Sequence, residues 1–86
     1  MINRDSNPVG WTLLVSELED AREHLGVMLQ DMSSAEDYSE EEFRIDLGHV
    51  YAHINRAWRR RLVAEDLNDD EWEQAREFPD DIDPIA

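Results

Sequence analysis

Cysteine is absent from these 86 residues. Disulfides, thiolate metal sites and cysteine nucleophiles are therefore excluded together. Lysine is absent too: all eight basic residues are arginine, against 22 acids, for a net charge of −14. That imbalance excludes a general binder of DNA or RNA backbone, because neutralising phosphates takes a basic face. The three glycines, Gly10, Gly26 and Gly48, stand too far apart to form a phosphate-cradling loop. No apolar run approaches the roughly 18 residues of a membrane helix, and the first residues lack a signal peptide's apolar core. The expectation is a soluble, cytoplasmic chain without a membrane role. At 10.1 kDa it has room for one small domain.

What is present is helical periodicity. Asn7-Pro8 opens the first segment, with Asn suited to a cap and Pro to the first turn. Trp11, Leu14, Leu18, Ala21, Leu25, Met28 and Met32 then alternate at spacings of 3 and 4, predicting a helix over 8–32. A polar stretch interrupts the pattern. Ser39 with Glu42 has the form of a capping box. Phe43, Leu47, Val50, Ile54 and Ala57 continue the same spacing, predicting a second helix over 40–66. Asn68-Asp69-Asp70-Glu71 caps a short third helix, 69–78, which Pro79 stops. Residues 79–86 read as an extended acidic tail.

The fold class is all-α: an antiparallel two-helix hairpin plus a short third helix. A short connection between matched helices makes them neighbours, and folding about residue 36 pairs Leu25 with Leu47, Leu18 with Ile54 and Leu14 with Trp58. One flank of that seam carries Val15, Leu29, Tyr51 and Trp58; the other carries Glu17, His24, Asp46, His53 and Arg60. The apolar flank needs a cover. Trp72 and Phe78 of the third helix supply part of it, and a second copy supplies the rest, as a dimeric four-helix bundle. Val15, Leu29, Tyr51, Trp58 and Trp72 are the expected interface residues.

Three groups carry chemistry or recognition. His49 and His53 lie one turn apart, with Asp46 a turn before and His24 across the hairpin. Imidazoles and a carboxylate so spaced suit a divalent transition metal, which could make a hydroxide nucleophile for hydrolysis; the plainer reading is structural histidines bonded to nearby acids. Arg56, Arg59 and Arg60, beside Arg61, form the single basic cluster, suited to a partner's carboxylates or to the helix's own C-terminal end and the acids beyond it. The acidic exterior fits simple solubility or a salty surrounding, an electrostatic lure for a basic protein, or a mimic of nucleic-acid phosphates. The leading expectation is a non-catalytic interaction module, an adaptor, regulator or inhibitor of a basic partner. The alternative is the small metal protein.

Overall fold

In the computed structural model, which describes residues 1–86, three helices follow one another without strands: α1 Pro8–Ser34, α2 Glu40–Arg60 and α3 Asp69–Ala75. No helix is long and apolar enough to cross a membrane. Pro8 begins α1 as expected, but Asn7 does not cap it with its side chain. Asn7 Oδ1 instead accepts the Asn3 N–H at 3.3 Å, while Asn3 Oδ1 accepts those of Asp5 and Ser6 at 3.1 and 2.8 Å. One open N–H of the first turn, that of Gly10, donates to the carbonyl of Ala64 at 3.0 Å. The loop after α2 thus does part of the capping. At the other end α1 runs two residues past position 32, where Ser33 and Ser34 hydroxyls donate back to the carbonyls of Leu29 and Gln30.

Helix α2 starts at half a capping box: Ser39 Oγ accepts the Glu42 N–H at 3.1 Å, and the reciprocal bond is not formed. It stops at Arg60, short of the expected residue 66. The reason is long-range. The Arg61 carbonyl accepts the Ile2 N–H at 2.8 Å and the Ala64 carbonyl accepts that of Gly10, so this stretch is held open as a loop. Helix α3 has the complete box, Glu71 N–H to Asn68 Oδ1 at 2.8 Å and Asn68 N–H to Glu71 Oε1 at 3.0 Å. It ends at Ala75 rather than 78, where side chains of α2 take the next two carbonyls. Asn55 Nδ2 donates to Arg76 O at 2.8 Å and Arg59 Nη2 to Glu77 O at 3.3 Å.

The two long helices pack as an antiparallel pair, and Leu14, Leu18, Ile54, Ala57 and Trp58 line one cleft, the register read from the sequence. The phase of the contact differs. On α1 the buried residues are Gly10, Leu14, Glu17, Ala21 and Met28, while Leu18, Leu25 and Met32 stay open to solvent. On α2 the seam takes Val50, Ala57 and Arg60 and leaves Phe43 and Ile54 open. The helices are therefore turned about 40° (α1) and about 50° (α2) from the expected apolar stripe, toward the flank with the charged residues. Polar groups go inside because they pair there. The apolar flank is left outside.

Helix α3 packs on α2 alone. Trp72 does not cover the aromatic flank as expected; it lies under Arg56, whose Cζ is 3.5 Å from the ring centre. Phe78 does reach that flank, edge-on to Tyr51 with ring centres 4.9 Å apart. The extended tail follows, pinned by Asp81, which accepts Trp58 Nε1–H at 2.8 Å and pairs with Arg61 Nη2 at 3.4 Å. The indole N–H first, then the Arg61 charge, hold the Asp81 carboxyl below its ordinary range. Ile82 enters the cleft beside Tyr51 and Ile54, whereas Ile85 stays in solvent.

Candidate functional site

The histidines meet. His24 of α1 stacks on His53 of α2 with ring centres 5.1 Å apart, and His49 lies 5.6 Å from His24. Spacing one turn apart on α2 and the hairpin register together bring this about. Asp46 is engaged elsewhere: its Oδ2 accepts the Tyr38 hydroxyl at 2.6 Å. Lost hydration, then that bond, push the Tyr38 hydroxyl up to about 12, so the phenol is a donor at neutral pH. No three histidine or acidic side chains are placed to hold one metal ion.

Below the imidazoles runs a buried polar chain. Glu17, only 8 % exposed, sits in the helix–helix seam. Its Oε2 is 3.3 Å from His53 Nδ1 and its Oε1 is 3.9 Å from Arg60 Nε. Arg60 is buried too; its Nη1 donates to Asp66 at 3.2 Å, and its Nε has no hydrogen-bond partner. The Leu67 N–H and then Arg60 draw the Asp66 carboxyl below its ordinary range. An ion pair of this kind holds register rather than adding much stability, since both charges lose water. Arg60→Met alone is expected to cost about 2 kcal/mol, because Glu17 then keeps only His53. The double variant Glu17→Leu with Arg60→Met should recover most of that loss. Urea unfolding of the two variants at one protein concentration checks this.

The other arginines of the cluster also turn inward on the chain. Arg61 stacks on Trp58 at 3.6 Å and donates to the Trp58 carbonyl at 2.8 Å. Arg59 holds Glu77, and Arg56 Nε donates to the Trp72 carbonyl at 3.2 Å. Three of the four thus fasten α3 and the tail to α2. Sequence separations of 16 to 20 residues hid these pairings from a reading based on helical spacing.

Two surfaces remain. One is a cleft of about 340 Å³ between α2 and α3, lined by the three histidines, Arg56, Arg76, Trp72 and Glu73. The other is the apolar flank, with Leu18, Leu25, Leu29 and Met32 from α1 and Phe43, Tyr51 and Ile54 from α2, each at least a third exposed. Of the expected interface residues, Leu29 and Tyr51 lie on this flank, Val15 is half-buried at its edge, and Trp58 is held by the tail. Comparison with known proteins gives no matching family model, curated protein or solved structure.

Proposed function

We propose that this chain is a non-catalytic protein–protein interaction module whose unit is a symmetric dimer, two hairpins joined through the apolar flank as a four-helix bundle. One quantity carries the reading. A folded monomer of this mass exposes about 5,300 Å², whereas this chain exposes 6641 Å². The excess is more than the roughly 800 Å² per partner of an ordinary interface. Its radius of gyration, 14.8 Å, likewise exceeds the value of about 12 Å for a compact chain of this length. No large side chain is fully buried, so one hairpin has little core of its own. A second layer of helices supplies it.

In that assembly the charge faces outward. Residues 68–86 hold one arginine and eight acids, half the net charge, on α3 and the tail. Such a surface speeds encounter with a basic protein and repels acidic ones. Adaptor, regulator and inhibitor roles all draw on that property. Light scattering at high micromolar concentration tests the unit: a molar mass near twice 10.1 kDa supports it, and one near 10.1 kDa rejects it.

A further inference from the structure

The cleft between α2 and α3 brings two guanidinium groups and three imidazoles to one wall. Arg56 and Arg76 flank it and His24, His49 and His53 close it. The lining carboxylate, Glu73, is already tied to Arg76 Nη2 at 2.7 Å. Arg56 is the telling residue. It is only 5 % exposed, its single hydrogen bond is from Nε to the Trp72 carbonyl, and no carboxylate lies within ion-pairing distance. Burial pulls its guanidinium below the ordinary arginine range, and Glu17 and Glu73, neither close enough to pair with it, offset that only in part. Stacking on Trp72 fixes the plane of the fork and leaves both Nη groups free.

We infer that this cleft binds a tetrahedral oxyanion, a phosphate or sulfate group, gripped by Arg56 and Arg76 with imidazole N–H groups as further donors. A planar fork held by stacking suits two parallel N–H bonds to such a group. The volume of about 340 Å³ admits the anion with a small organic substituent. A free metal cation is disfavoured by two guanidinium charges at the wall. A nucleic acid is disfavoured by the net charge of −14, whose field opposes a long polyanion. A small anion feels little of that field once inside, because solution ions screen charges farther than about 8 Å.

The test titrates the full chain with sodium sulfate and with inorganic phosphate at constant ionic strength, following imidazole and guanidinium NMR signals. Saturable shifts confined to His24, His49, His53, Arg56 and Arg76, with each anion displacing the other, are expected. Arg76→Gln should weaken binding about tenfold, as the loss of a charge-assisted pair. His49→Gln, which removes one neutral donor, should weaken it about threefold. Both side chains are exposed, so circular dichroism should show the helices unchanged. Methyl phosphate separates the sources: tighter binding than inorganic phosphate assigns the site to a phosphomonoester, equal binding to the free anion. Shifts that sodium chloride reproduces at equal ionic strength overturn the proposal. So do variants that bind as the parent does, and zinc binding to the imidazoles where neither anion binds.

Discussion

Replacing Gly10 with alanine should lower the unfolding free energy by about 3 kcal/mol, the upper end for an overpacked site. A Cβ built on Gly10 would clash with the Val63 carbonyl oxygen and lie 2.8 Å from that of Ala64. Both obstacles are backbone, so no side chain can turn aside. The loop after α2 would have to move away, and the Gly10 to Ala64 bond would go with it. The neighbouring bond from Ile2 to Arg61 belongs to the same clamp and should loosen as well. Gly26 and Gly48 supply the contrast, since a Cβ there meets nothing within 4 Å. Both are helical, and Gly26→Ala or Gly48→Ala should add up to about 1 kcal/mol each. Urea midpoints of the three variants, taken at one protein concentration, should fall on opposite sides of the parent. If Gly10→Ala matches the other two, the N-terminal clamp is not as described.

That clamp also marks where sequence reasoning stops. The starts of α2 and α3 were legible because Ser39 and Asn68 act on N–H groups three residues ahead, within one turn. The end of α2 was not, because no glycine or proline marks it. The carbonyls just beyond it, of Arg61 and Ala64, are taken by Ile2 and Gly10, 59 and 54 residues away in the chain. The hairpin register was legible from matched periodicity. The rotation of the seam was not, because hydrophobicity alone places Leu18, Leu25 and Ile54 inward. It has no means of crediting the approach of Glu17 to His53 and Arg60 inside the seam. Gly10 contributes too, since its bare Cα brings the start of α1 close to the loop after α2. The meeting of the three histidines followed from register and turn spacing. The stacking of Arg56 on Trp72 did not, and with it went any view of the cationic cleft.

The turned seam yields the sharpest test of the assembly, because residues two apart on α1 should respond oppositely to the same change. Leu29 lies on the apolar flank and Val27 about 200° around the helix, and both are more than half exposed. In the single hairpin an aspartate at either place meets water and should alter stability by under about 0.5 kcal/mol. In the symmetric dimer the two part company. Leu29→Asp occurs twice across one interface, and each carboxylate must lose its hydration or push the helices apart. A penalty of about 2 kcal/mol per copy weakens association about a thousandfold. Leu29→Asp should therefore give a molar mass near 10.1 kDa at concentrations where the parent and Val27→Asp give twice that. Thermal stability of the parent should rise with protein concentration, and that of Leu29→Asp should not. Dissociation by both variants would point to general charge repulsion on a chain already at −14. Dissociation by Val27→Asp alone would place the contact on the opposite face and remove the apolar flank from its role.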